Sequence, residues 1–154
     1  MKDKCVFAGS FDPVHLGHLD IIGKCNMMFE KVVVAIGVND KKKYTYSLET
    51  RLEMLKRACA KYDNVVVTHF DGYLADYMTE LNAEYYVRGI RNRADEDYET
   101  ANFKINSERN PSIQTIFLPC SKEVSSVSST RVKENLKNGK SVEKLVPREI
   151  IDLL

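Results

Sequence analysis

Five short apolar, β-branched runs alternate along this chain with segments of helical period, and that alternation limits the folds open to it. The strand candidates are Cys5–Ala8, Val32–Val38, Val65–Phe70, Tyr85–Arg88 and Ile113–Leu118. Between them, Leu19, Ile22, Cys25 and Phe29 recur on one helical face, as do Leu48, Leu52, Leu55, Cys59 and Tyr62, and then Leu74, Met78 and Leu81. Ser47, with Glu49 in the first turn, reads as an N-cap. Gly139 closes a helix that starts near Ser128, and Pro147 opens a last short one. Strands alternating with helices through short connections predict right-handed crossovers and a parallel sheet covered on both faces. The expectation is an α/β fold: an open, doubly wound, five-stranded parallel sheet with C-terminal helices.

With 154 residues, one domain over 1–154 is expected, large enough to need no disulfide or metal staple. Lys plus Arg is 23 against 22 Asp plus Glu, so the net charge is +1, which argues against a general nucleic-acid binder. The longest apolar run, Val32 to Val38, falls far short of the ~20 residues of a membrane span. No secretory signal pattern opens the chain, so a cytoplasmic protein is expected, with no membrane partner. Cysteines at 5, 25, 59 and 120 form neither a Cys-x-x-Cys pair nor a zinc-finger spacing. They read as reduced thiols, three of them in apolar stripes, with Cys120 in a loop.

In open parallel sheets ligands bind beyond the carboxyl ends of the strands, so the strand exits hold the candidates. The first exit reads Gly9-Ser10-Phe11-Asp12-Pro13-Val14-His15-Leu16-Gly17-His18. It is neither Gly-x-Gly-x-x-Gly nor a Walker A loop. It places two of the three histidines three residues apart, at a helix predicted to begin at Gly17, where free N–H groups favour anions. The second exit carries Lys41-Lys42-Lys43, one of which can reach the site as a flexible charge for phosphate. The third reads Asp71-Gly72-Tyr73-Leu74, a turn and the first apolar residue of a helix. The fourth, Arg88-Gly89-Ile90-Arg91, has two arginines suited to bidentate phosphate recognition. The fifth leads to Val124-Ser125-Ser126-Val127-Ser128-Ser129-Thr130-Arg131. Its hydroxyls either cap a helix or form a second phosphate cradle, and three in a row exceed what one cap needs.

The His-x-Gly-His string within Gly9–His18, and Val127-Ser128-Ser129-Thr130-Arg131-Val132-Lys133 further on, resemble the two signatures of the nucleotidyltransferase superfamily. Within it the chain most resembles the phosphopantetheine adenylyltransferases, over nearly its whole length. The resemblance implies a Rossmann-like nucleotidyltransferase fold, ATP and 4′-phosphopantetheine as substrates, Mg2+ as cofactor and a homohexamer. It puts catalysis on His18, Lys42 and Arg91. It puts ATP contacts on Ser10, Phe11, His18, Gly89, Ile90, Arg91, Glu99, Val124, Ser125, Ser126, Val127, Ser128, Ser129 and Thr130. Ser10, Lys42, Leu74 and Arg88 would bind the acceptor. His15 stands where this family usually has threonine and the related mononucleotide adenylyltransferases have histidine. Val124 replaces a tryptophan of some members, Val127 an isoleucine and Lys133 an arginine.

The implied site has no paired carboxylates and no Ser-His-Asp order. A phosphate nucleophile, largely ionised near neutral pH, needs neither. Positioning and charge stabilisation carry such a transfer. The expected magnesium rides on the triphosphate, since no residue cluster forms a dedicated metal site. Two alternatives remain: a nicotinate- or nicotinamide-mononucleotide adenylyltransferase, favoured by His15, and a nucleotide-binding regulator without chemistry.

Overall fold

A computed structural model describes residues 2–91 and 104–154. The strands are β1 (Lys2–Gly9), β2 (Phe29–Val38), β3 (Val65–Asp71), β4 (Tyr85–Ile90) and β5 (Gln114–Pro119). The helices are α1 (Leu16–Met28), α2 (Leu48–Cys59), α3 (Leu74–Leu81), a helical stretch at 104–109 (α4) and α5 (Ser129–Lys137). All five strands run parallel in the order β3-β2-β1-β4-β5, as the alternation predicts. β1 therefore lies between β2 and β4, and the direction of winding reverses there.

Alternation along β1 divides the core. Cys5 and Phe7 face a large cluster with Ile22 and Cys25 of α1, Met54 and Leu55 of α2, and Val132, Val146 and Ile150 from the C-terminal part. Val6 and Ala8 face a smaller cluster with Ala75 and Met78 of α3. Val32 to Ile36 of β2 are all buried, as a strand covered on both faces requires.

β1 and β2 begin earlier than their apolar runs, because Lys2 pairs with Phe29 and Lys4 with Lys31. The ladder is made by backbone groups and continues through polar residues. Ser47 caps α2, accepting from the Thr50 amide at 3.1 Å. The buried stripe of α2 is Arg51, Met54, Leu55, Ala58 and Cys59, so the predicted face was rotated: Leu48, Leu52 and Tyr62 sit at its edge, half-buried. The segment after Pro147 is a 3-10 helix, Arg148–Leu153. Gly139 takes a left-handed φ of 68° just past α5, as the helix-ending reading expects. Among the described residues no helix is long and apolar enough to cross a membrane.

Candidate active site

A cavity of about 390 Å3 opens where the exits of β1 and β4 diverge, the place the reversal of winding predicts. Its walls include Gly9, Ser10, Phe11 and His18 from the first exit, Arg88, Gly89 and Arg91 from the fourth, and Ser128, Ser129 and Thr130 from the fifth. Three separate sequence strings thus meet at one wall.

The two histidines form one reciprocal cap, and both line the cavity. His15 is the N-cap of α1, which starts at Leu16, one residue before the predicted Gly17. Its Nδ1 accepts from the amides of Gly17 at 3.1 Å and His18 at 3.3 Å. The His15 amide in turn donates to Nδ1 of His18 at 3.1 Å, completing a reciprocal cap. Each Nδ1 is spent as an acceptor, so each ring carries its proton on Nε2. The rings stack 3.6 Å apart. Burial, then Arg91, push His15 down to a pKa of about 3. Burial, then His15, Arg88 and Arg91, hold His18 well below the ordinary histidine range. Both are neutral at pH 7, and His18 offers the cavity a fixed neutral N–H donor. Gly17 makes the stack possible, because a Cβ there would lie 2.9 Å from the His15 ring.

The cations are held by carbonyls at the strand exits. Arg88 donates to the Ala8 carbonyl at 2.6 Å, and Arg91 to that of Val127 at 3.3 Å. Lys42 does not line the cavity but donates to Ser10 Oγ at 3.1 Å, which sets its charge at the mouth. Gly89 permits close approach: a Cβ would stand 2.8 Å from Ile21. Phe11 adopts a left-handed φ of 48°, its ring edge-on to His18 at 4.7 Å. This costly backbone conformation is maintained by the packing around it.

The serine cluster serves both readings at once. Ser128 caps α5, accepting from the Arg131 amide at 3.1 Å. Ser129 Oγ donates to the Pro13 carbonyl at 2.9 Å, tying this cradle to the first exit. Thr130 is exposed on the cavity wall. Ser126 faces away, taken by Arg131 at 3.0 Å, and Ser125 donates to the Lys122 carbonyl. Val127 is core, Val124 packs beside it, and Ile90 bonds to Cys120 through its carbonyl. None of Ile90 and Val124–Val127 lines the cavity, and Leu74 packs against the smaller core cluster. Glu99 lies outside the described residues, as do Asn92 and Arg93.

Two residues left without a role by the sequence reading shape the site. Asp12 and Arg51 are buried charges, 6% and 2% exposed. Arg51 was legible in principle, being three residues after Leu48 and four before Leu55, a charge on the buried stripe. Cys5, Cys25 and Cys59 are buried free thiols as expected, and Cys120 lines the cavity. Among the described residues no group of three His, Cys, Asp or Glu is arranged for a metal, and no carboxylate lines the cavity.

Residues 6–135 match the Cytidylyltransferase-like family. The chain is 40% identical to a phosphopantetheine adenylyltransferase of Leptospira biflexa, over 96% of this chain and 92% of that one. It is 39% identical to one of Psychromonas ingrahamii, covering 92% and 88%, and 38% identical to one of Clostridium botulinum, covering 95% and 89%. The chain belongs to the phosphopantetheine adenylyltransferase family. The fold of this family member is shared by a solved structure from Vibrio parahaemolyticus, described as a candidate nicotinate-nucleotide adenylyltransferase. That likeness has a TM-score of 0.73 at 18% identity and covers 99% of this chain and 98% of that one.

Proposed function

We propose that this cavity transfers the adenylyl group of ATP to 4′-phosphopantetheine, releasing pyrophosphate and giving dephospho-coenzyme A. The acceptor phosphate oxygen attacks the α-phosphorus in line as the bond to the pyrophosphate oxygen breaks. No base is required, because the nucleophile is already ionised. Lys42, Arg88 and Ser10 hold the acceptor phosphate. Arg91, with Ser129, Thr130 and the free amides of α5, takes the triphosphate. His18 donates its Nε2 proton in a hydrogen bond to a non-bridging α-phosphate oxygen as charge builds there. Magnesium would arrive on the ATP triphosphate, where it would neutralise phosphate charge beside Arg91, Ser129 and Thr130. The adenine-side contacts expected of Phe11, Gly89, Ile90, Glu99 and Val124–Ser128, and that of Leu74 with the pantetheine arm, belong to the same proposal. So do a single domain over 1–154, a cytoplasmic setting and a homohexamer.

The observation that carries this reading is the His18 donor, tautomer-fixed and neutral, on the same cavity wall as Arg88 and Arg91. A dehydrated phosphoryl centre needs such preorganised donors more than it needs acid–base groups. His15, the residue that favoured the mononucleotide alternative, caps α1 and also lines the cavity. Pyrophosphate release distinguishes the readings when the protein is incubated with MgATP and each acceptor in turn. Release with 4′-phosphopantetheine alone is expected. Release with nicotinate or nicotinamide mononucleotide instead, or ATP binding without release, would replace the proposal.

A further inference from the structure

Lys42 sits on an exposed loop, yet a cation that must hold a phosphate in line has to be aimed. Two buried charges supply the means. Asp12, in the β1 exit, accepts from the amide of Thr45 at 2.8 Å and that of Tyr46 at 2.9 Å, one on each carboxylate oxygen. Arg51, on the buried stripe of α2, donates from Nε to the Tyr46 carbonyl at 3.0 Å and from a terminal nitrogen to the Ser10 carbonyl at 3.0 Å. Both therefore grip the peptide groups around Tyr46, and both belong to, or touch, the Ser10–Asp12 loop. The Arg51 guanidinium also stacks on the Tyr44 ring at 3.9 Å, and the Lys42 ammonium lies 5.6 Å from the same ring. Lys133 of α5 stands 3.8 Å from the Asp12 carboxylate.

We propose that Asp12 and Arg51 are positioning residues: a buried clasp that locks the Lys42 loop onto the Ser10 loop and so builds the acceptor-phosphate site. The proposal rests on Lys42 serving the acceptor. Its chemistry follows from that of the contacts. Charge-assisted bonds to backbone groups are stronger and shorter than neutral ones, and fix a loop that Lys42 alone would leave free to wander. With Ser10 Oγ and Lys42 Nζ 3.1 Å apart, both can face one phosphate only while the two loops keep register. Arg91, Ser129 and Thr130, which take the triphosphate, come from the fourth and fifth exits, whereas the bonds of Asp12 and Arg51 go to the β1 and β2 exits, apart from the Lys133–Asp12 ion pair.

A double-mutant cycle with Lys42 separates this from a general structural role. In Asp12→Asn and in Arg51→Lys, the KM for 4′-phosphopantetheine should rise about tenfold, the size of one lost charge-assisted bond, with the KM for ATP within about twofold. Added to Lys42→Ala, each substitution should change the acceptor KM by less than about twofold, since the group it aims is gone. Equal rises for both substrates, or the same tenfold rise in the Lys42→Ala background, would overturn the clasp. If Asp12→Asn does not fold, Arg51→Lys carries the cycle. Amide hydrogen exchange reads the clasp without turnover. Exchange at Thr45 and Tyr46 should speed up about tenfold in Arg51→Lys while β1 is unchanged, and unaltered exchange would refute it. Wild-type protein that releases no pyrophosphate with 4′-phosphopantetheine would overturn the functional reading alone, leaving the exchange result to judge the clasp.

Discussion

The loops leaving β1 and β2 meet where Lys42 donates to Ser10, but they are built in opposite ways. In the first, the groups that face the cavity also make the fold. His15 and His18 cap α1 through each other's backbone, and Phe11 is wedged against His18. In the second, Lys41, Lys42 and Lys43 are exposed and the anchoring residues, Asp12 and Arg51, come from elsewhere. Substitutions in the first loop should therefore cost stability and activity together. In the second they should change substrate affinity and leave the fold alone.

Acid should separate the two loops most strongly. His15, with its pKa pushed to about 3, and His18, held low as well, stay neutral in the folded protein but take up protons when unfolded. The unfolded state thus binds more protons, so stability is complete above about pH 6.5 and is lost as pH falls from there towards 3. Each histidine should lower the folding constant by up to about tenfold per pH unit below pH 6. Denaturant midpoints from pH 7 to 5 should show the wild-type slope shrinking by about one proton in His15→Thr. An unchanged slope would show that the pair is not buried neutral.

Next in size is His18→Ala. Losing a preorganised donor to the transition state should cost about 10²–10³ in kcat, with ATP affinity little changed. Because the ring also accepts from the His15 amide, the melting temperature should fall as well. Near-normal kcat would break the mechanism.

The charge partition should give smaller effects. Lys42→Ala is expected to weaken 4′-phosphopantetheine about tenfold, with melting unchanged and ATP spared. Arg91→Ala should do the reverse, since its guanidinium lies on the side of Val127 and α5. Calorimetric titration with each ligand separately would reveal equal losses, which would refute the partition.

His15→Thr should matter least to turnover. A threonine hydroxyl can accept the amide bonds that His15 Nδ1 now takes, so kcat/KM should stay within about tenfold for both substrates. A loss as large as that of His18→Ala would give His15 a ligand role and favour the mononucleotide alternative.

The chain's own residues determined the sheet, its parallel sense and the loops that carry chemistry. β-branched runs such as Val32–Val38 have one stable place in a sheet covered on both faces, and periodicity is a local property that a sequence displays directly. The strings Gly9–His18 and Ser128–Thr130 were legible too, because each is contiguous. Tertiary structure alone decided which groups were free to act. His15 and His18 look alike three residues apart, and only the closure of α1 commits each Nδ1 to the cap and stacks both rings on the cavity wall. Ser128 and Ser129 are neighbours, yet one caps α5 while the other reaches Pro13, 116 residues away in sequence. Arg51 could be read only as a charge on an apolar stripe and Asp12 not even as that, since their task consists of bonds to backbone groups of another segment. Long-range hydrogen bonds leave no period in a sequence, and they assign each polar group its partner only once the strands are in register.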